Sequence, residues 1–157
     1  MLVLDRETGH LVVVNPGGDF GAIVGELKAL CHAANVGLNK VRLAYILVTQ
    51  AHTQMFLAAG QLLDIGNGAG EIVLHVKDLP LWHNADLQAE EFDFSDLLPP
   101  PRPTSEDGEG SSRAGYDSDE SDASSRARRP RFPEPGRSFA QGEELSAGNL
   151  KVVCLHT

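Results

Sequence analysis

The feature that most constrains this chain is the loss of aliphatic residues after residue 98. Residues 99–140 consist mainly of Pro, Ser, Gly, Glu, Asp and Arg. A segment of this composition buries too little apolar surface to offset the entropy that it would lose on ordering. We therefore expect a small α+β domain over residues 1–88 and a disordered linker over residues 99–148.

The charge of the chain is distributed as unevenly as its hydrophobicity. Of a formal net charge of −9, most of the negative charge lies in residues 91–125, whereas residues 126–140 are basic. An acidic chain is disfavoured as a general binder of nucleic acids or membranes, because both are anionic. With no signal peptide, no bilayer-length apolar run and only 2 cysteines, the sequence indicates an intracellular protein of the cytoplasm or nucleus.

One amphipathic helix is indicated over about residues 20–34. Asp19 suits the N-cap, and Asn35 and Gly37 suit the end of a helix. The apolar residues in between follow helical spacing, which predicts one buried face: Phe20, Ile23, Val24, Leu27, Leu30, Cys31 and Ala34.

Five segments in residues 1–88 have the composition of β-strands. They are residues 2–4, 11–14, 40–50, 53–59 and 70–79. A hairpin, a helix and three further strands favour an α+β fold, with a small, mainly antiparallel sheet and one principal helix on one face. The other face is then left for solvent, the tail or a partner, which includes a second copy in a homodimer. Residues 149–157 again have a β-like pattern, and this C-terminal strand is able to pair with the edge of the first domain.

The glycine-rich segment at residues 15–21 lies between a strand and the helix. Backbone N–H groups in such a loop can bind phosphate, but neither the phosphate-binding loop motif nor the dinucleotide fingerprint is present. Asp19 would also repel an anion. A tight turn is the favoured interpretation, and a small nucleotide-binding protein or enzyme using residues 15–21 is the alternative from another functional class.

No catalytic or metal-binding motif is visible in the sequence. There is no GxSxG, the first serine is Ser95, and the 6 histidines show no HxH or HxxxH spacing. These observations predict no enzymatic activity, no metal and no cofactor.

Residues 89–98 form an amphipathic acidic-hydrophobic motif immediately before the prolines, with its apolar and acidic side chains at residues 90–98. As a helix they would present one apolar side, and Pro99 would end it. The segment resembles the acidic-hydrophobic segments of transcription activation domains, and residues 93–98 also resemble an acidic-dileucine sorting signal. Docking on the chain's own domain is the competing interpretation. The predicted partner-binding residues are Phe92, Asp93, Phe94, Asp96, Leu97 and Leu98.

The linker contains two further kinds of candidate site. Hydroxyl groups among carboxylates are phosphorylation candidates, namely Thr104, Ser105, Ser118 and Ser121. A basic patch follows them and consists of Arg126, Arg128, Arg129 and Arg131.

Together these features predict a non-catalytic interaction or regulatory protein, with a folded platform and a tail that presents linear motifs. This layout is typical of viral and eukaryotic regulatory proteins. A transcriptional coregulator or a trafficking adaptor acting through residues 90–98 is the alternative within the binding class.

Overall fold

The computed structural model describes residues 1–66, 69–93, 95–99 and 132–155. The strands of the main sheet are β1 (Leu2–Leu4), β2 (His10–Val14), β3 (Arg42–Val48), β4 (Glu71–His75) and β5 (Arg137–Phe139). Within the described residues they form one five-stranded sheet in the order β1-β2-β3-β4-β5. Strand β1 is antiparallel to β2, whereas β2, β3, β4 and β5 run parallel.

Helices connect the parallel strands. They are α1 (Phe20–Ala34), α2 (Ala59–Ile65), α3 (Leu79–His83) and α4 (Ala85–Glu91), with 3₁₀ turns at Leu38–Lys40, Thr53–Met55, Val76–Asp78 and Ser95–Leu97. The predicted principal helix is confirmed as α1. The Asp19 carboxylate accepts a hydrogen bond from the Gly21 N–H at 2.7 Å, and Asn35 ends the helix with a left-handed φ of 54°.

The mixed class of helices and strands is confirmed, but the pairing differs from the mainly antiparallel sheet that we expected. The physical reason lies in residues 53–59, where the expected strand is replaced by a 3₁₀ turn and the start of α2. A parallel neighbour requires a crossover connection, commonly a helix, and α1 and α2 provide two of these. The near-continuous apolar runs of β2, β3 and β4 suit strands that are buried on both faces.

One face of the sheet packs against the helices and forms the larger core. Leu27 and Cys31 from α1 and Leu62 from α2 meet alternate residues of the strands, including Ile46 and Ile72. Burial of these side chains from water is the main stabilising contribution to a fold of this size.

The other face of the sheet is covered by a second, smaller sheet. Strands β6 (Glu144–Ala147) and β7 (Leu150–Val153) form an antiparallel hairpin. Leu145 of β6 and Cys154, which directly follows β7, are buried and pack against Val12, Leu47 and Val73. The expectation of an uncovered sheet face is therefore corrected, and so is the proposed pairing of the C-terminal strand with the sheet edge, because β7 pairs with β6.

Part of the linker that we expected to be disordered is folded. Strands β5 and β6 both lie within residues 132–148, and Phe132 is buried. Its ring meets the Phe56 ring edge-on, with centroids 4.8 Å apart, and Phe56 stacks on Trp82 at 4.1 Å. Composition alone did not indicate this, because a few well-placed apolar side chains anchor an otherwise polar segment.

The remaining linker predictions concern residues 100–131, which lie outside the described residues. The phosphorylation candidates Thr104, Ser105, Ser118 and Ser121 and the basic patch Arg126, Arg128, Arg129 and Arg131 all belong to this segment. Among the helices that the structure describes, none has both the length and the apolar character needed to span a bilayer.

Candidate functional site

A cavity of about 420 Å³ opens where β2, β3 and β4 reach their carboxyl ends, and it is closed on one side by β7. We call it the strand-end cavity. In parallel sheets, ligands commonly bind at the carboxyl ends of the strands. Its lining residues are Val14, Leu47, Val48, Thr49, Gln50, His75, Asp78, Phe139, Val152, Val153, Cys154 and Leu155.

The mouth of the cavity is shaped by a pair of hydrogen bonds between Asn15 and Thr49. The Thr49 N–H donates to the Asn15 side-chain oxygen at 2.9 Å, and the Asn15 amide donates to the Thr49 hydroxyl at 2.8 Å. Asn15 has a φ of 47°, a left-handed conformation that Asn adopts more readily than most residues. The pair joins the ends of β2 and β3 and thereby positions Thr49 on the cavity wall.

The loop after β3 is held from behind by the buried side chain of Gln88 on α4. Its oxygen accepts a hydrogen bond from the Thr53 N–H at 3.2 Å. Its amide donates to the carbonyl oxygens of Ala51 at 3.1 Å and Leu81 at 2.7 Å. The hydrogen bonds to Thr53 and Ala51 are buried, and buried polar groups need a partner, so Gln88 supplies partners to two buried backbone groups and to the part-buried Leu81 carbonyl.

The end of β4 contributes His75 and Asp78. The buried His75 accepts a hydrogen bond at Nδ1 from the Lys77 N–H at 3.3 Å, which places the proton of a neutral imidazole on Nε2. Asp78 is half-buried and precedes α3, but its side chain makes no capping hydrogen bond. Among the described lining residues it is the one carboxylic acid side chain, and neither Lys nor Arg accompanies it.

The hairpin wall of the cavity contains a buried cysteine, Cys154. Its backbone is fixed by a hydrogen bond from its N–H to the Glu143 carbonyl at 3.0 Å, and its own carbonyl accepts from Gly142 at 2.8 Å. Burial raises the pKa of the Cys154 thiol, and the negative charge of Glu143 raises it further. The side chain therefore presents a neutral thiol, because the thiolate is the reactive form and is disfavoured here.

The glycine-rich segment at residues 15–21 lies beside the cavity and acts on it through Asn15. Gly17 packs so closely against the Gln54 carbonyl that a side chain would collide with it, and Gly18 has a φ of +87°. The adjacent hollow of about 240 Å³ is lined by Asp19 and Glu26, with no Lys or Arg among its described residues. The two carboxylates disfavour a phosphate there, and the Met1 ammonium group, which also lines the hollow, already donates to the Val14 carbonyl at 2.9 Å.

The predicted partner-binding residues at 90–98 lie away from the cavity lining. Phe92 and Leu97 are 58% and 65% exposed, whereas Leu98 packs against the larger core. Asp93 has a left-handed φ of 54°, and Asp96 lies in the last 3₁₀ turn. Phe94 lies outside the described residues. The segment therefore has exposed apolar side chains and one docked leucine.

Sequence reasoning included Asn15 only in the alternative phosphate loop at residues 15–21, and it missed the cavity residues His75 and Asp78. Each follows the end of an apolar run, which is the one local signal available. That signal predicts a shared site only when the strands are known to be parallel, because the carboxyl ends of parallel strands lie at the same edge of the sheet.

The chain was compared with known families, curated proteins and solved structures. No family model matches it, and no curated protein matches it. Among solved structures, it is similar to TTHA1623 in a di-iron-bound form, with 23% identity over 92% of this chain and 50% of that one, at a TM-score of 0.49. It is also similar to BLEG-1 B3 metallo-beta-lactamase, with 16% identity over 97% of this chain and 52% of that one, at a TM-score of 0.47. The chain thus spans about half the length of these solved structures.

Two predictions from the sequence are wrong in the light of these findings. The chain was expected to be a non-catalytic interaction protein and not an enzyme, but one structural neighbour is named as a metallo-beta-lactamase and the other as a di-iron-bound protein. The fold agrees with this correction, because the β6–β7 hairpin covers the sheet face that the platform would have offered. The likeness itself concerns the fold and transfers no activity.

The metals named in both neighbours raise the question of whether this chain has ligands for one. In the parts of the chain that the structure describes, no group of three or more His, Cys, Asp or Glu side chains is arranged to hold a metal ion. Stable metal sites need such convergent donors at short distances. The described donor set therefore does not fit a metal centre.

Proposed function

We propose that the strand-end cavity is the substrate site of an enzyme that acts on a small organic molecule. The observation that carries the proposal is the position of this cavity at the carboxyl ends of three neighbouring strands, β2, β3 and β4. Its volume of about 420 Å³ lies within the range of small-molecule sites.

The composition of the cavity wall supports this function. Apolar side chains such as Leu47, Phe139 and Val152 line the cavity together with polar residues that include Gln50 and Asp78. Small-molecule sites have this combination, because apolar walls supply binding energy and polar groups fix the orientation.

Two wall residues are suited to proton transfer. His75 and Asp78 both line the cavity, and imidazole and carboxylate groups are the most common general acids and bases in enzymes. Cys154 is not assigned a nucleophilic role, because its buried thiol has a raised pKa.

A fragment screen with an obstructed variant tests the proposal. We expect small organic molecules to shift the backbone amide NMR signals of Thr49, Gln50 and Asp78. Val153 is 51% exposed and lines the cavity, so Val153→Trp should fill the space without disturbing the core and weaken binding by about tenfold or more. Fragments that bind are then incubated with the protein, and mass spectrometry measures their conversion.

The matched control is Lys151→Trp. Lys151 is also exposed on β7, two residues from Val153, but it does not line the cavity. It should bind fragments as the unmodified chain does. The proposal would be contradicted if the Val153→Trp variant bound fragments as tightly as the unmodified chain, or if no fragment shifted the cavity amide signals. Conversion that is unchanged in both His75→Gln and Asp78→Asn would contradict the assignment of proton transfer to these residues.

The proposal includes two further expectations from the sequence, which concern a protein partner and the cellular location. A protein partner at residues 90–98 is supported by the exposure of Phe92 and Leu97. An intracellular location is supported by two buried free cysteines, Cys31 and Cys154. Pull-down experiments that compare the unmodified chain with the Leu97→Ala variant test the first expectation. If the variant captures none of the proteins that the unmodified chain captures, the expectation is supported. Unchanged capture would contradict it.

A further inference from the structure

We infer that the strand-end cavity selects molecules with an apolar body and a protonated amine, and that Asp78 determines this specificity. The inference deepens the proposed function and rests on it. It concerns the class of molecule that the cavity accepts, whatever reaction follows.

The first argument is the charge of the wall. Asp78 is a carboxylate, and neither Lys nor Arg is present among the described lining residues. A charged group in a partly desolvated cavity is costly unless an opposite charge or strong hydrogen-bond donors accompany it. A ligand ammonium group supplies both, and its hydrogen bonds to a carboxylate are of the stronger, charge-assisted kind.

The second argument is that Asp78 is not occupied elsewhere in the described structure. It sits at the N-cap of α3, where an aspartate commonly binds the helix N–H groups, yet it makes no such bond. No ion pair or hydrogen bond links it to another described side chain. It is half-buried at the cavity and is thus available to a ligand.

The third argument concerns the rest of the ligand. The lining is mixed, and its apolar part consists of aliphatic side chains and the Phe139 ring, with Val14, Leu47, Val152 and Leu155 among the aliphatic residues. The ring centroids of Phe139 and His75 lie 5.7 Å apart in an edge-on arrangement, which fixes the Phe139 ring. An apolar body gains binding energy from this surface in proportion to the area that it buries.

The fourth argument is the exclusion of anions. Neither Lys nor Arg is present among the described lining residues to balance the carboxylate of Asp78. A ligand carboxylate or phosphate would therefore meet a like charge at Asp78. Negatively charged molecules are expected to bind weakest.

Three probes with the same apolar body test the inference: 3-phenylpropylamine, 3-phenylpropanol and 3-phenylpropionate. Dissociation constants are measured from the shifts of the Thr49, Gln50 and Asp78 amide signals. The amine should bind about tenfold more tightly than the alcohol, and the acid should bind weakest. The preference for the amine should decrease modestly as salt is raised, because Asp78 is only half-buried and salt screens charges that remain in contact with solvent.

The decisive variant is Asp78→Asn, which should remove the preference for the amine and leave the affinity for the alcohol nearly unchanged. Glu26→Gln is the matched control, because Glu26 is exposed on α1, on the opposite side of the sheet, and its loss removes the same charge from the chain. It should keep the preference.

The possible failures are distinguishable. Equal affinity for amine and alcohol, or a preference that survives Asp78→Asn, would overturn the inference while leaving the cavity as a small-molecule site. Failure of all three probes and of the fragment library to shift any cavity amide would instead overturn the proposed function, and the inference with it.

Discussion

Asn15 and Thr49 bind each other through two hydrogen bonds of opposite direction, although 34 residues separate them in the chain. One bond involves the Thr49 backbone and the other its hydroxyl, so the position and rotation of Thr49 are both fixed. The Asn15 N–H also donates to the Leu47 carbonyl at 2.9 Å. The two strand ends that form the mouth of the cavity are thus held by one residue.

Replacing Asn15 should therefore affect both stability and the cavity. Asn15→Ala loses both side-chain bonds and forces Ala into a left-handed conformation, for a total loss of about 2 kcal/mol. Asn15→Gly loses the same bonds without the conformational cost and should lose about 1 kcal/mol. Urea unfolding measures the free energies of unfolding. Equal losses in the two variants would contradict the role of the backbone conformation.

Gln88 should prove more important for its polarity than for its size. Gln88→Met preserves the length of the side chain, and Met favours a helix about as well as Gln does. The substitution removes the side-chain amide that binds the buried Thr53 N–H and the buried Ala51 carbonyl. The expected loss is about 2–4 kcal/mol, because unpaired buried polar groups are costly. Gln61→Met on the exposed side of α2 is the control and should change the unfolding free energy by less than about 0.5 kcal/mol.

The hairpin that covers the second sheet face is attached to the N-terminal turn by Asp5. Its carboxylate accepts hydrogen bonds from the Thr8 hydroxyl and from the Asn149 N–H, at 2.7 Å for the latter. These bonds lower the pKa of Asp5 from 3.8 to about 2, with the Thr8 bond as the larger cause. Asp5 and Asn149 are 144 residues apart in the chain, so this contact helps to attach the hairpin to the domain.

The pH dependence of stability follows from this lowered pKa. Because the folded-state pKa is below the unfolded-state value, the contribution is fully present above pH 3.8 and is lost as the pH falls through about 2. Asp5→Asn should therefore melt at a lower temperature than the unmodified chain at neutral pH, and the two melting temperatures should converge in acid. Glu26→Gln should follow the unmodified chain at every pH. A constant gap for Asp5→Asn down to about pH 2 would argue against the titration of Asp5 as the cause.

Phe132 should behave as a core residue even though it borders a polar segment. Its ring is 6% exposed and meets both Phe56 and Trp82. Phe132→Ala should lose about 3–4 kcal/mol of unfolding free energy. Leu97→Ala, at a 65% exposed position, should lose less than about 0.5 kcal/mol. Similar losses in chemical denaturation would contradict the placement of Phe132 in the core.

The extent to which the sequence predicts this fold depends on how local each signal is. Asp19 and Asn35 act on their own helix ends, and α1 was predicted with its observed bounds. The direction of strand pairing depends on whether residues 53–65 form a strand or a helical crossover. The apolar pairs Met55–Phe56 and Leu62–Leu63 fit a helix, whereas Gly60 fits a turn equally well. The cavity combines Thr49, Asp78 and Cys154 from distant parts of the chain. No local spacing records that combination, so the site emerged only from the three-dimensional fold.

Alkylation of Cys154 should report on both its burial and the occupancy of the cavity. Burial raises the pKa of its thiol, so its reaction with iodoacetamide should require a higher pH than that of an exposed thiol such as glutathione. A bound 3-phenylpropylamine should slow the reaction further, because Cys154 lines the cavity. Peptide mass spectrometry measures Cys154 separately from Cys31, which lies in the other core and serves as the internal control. Protection of both cysteines alike would indicate general stabilisation of the fold, whereas protection of Cys154 alone would locate the ligand in the cavity.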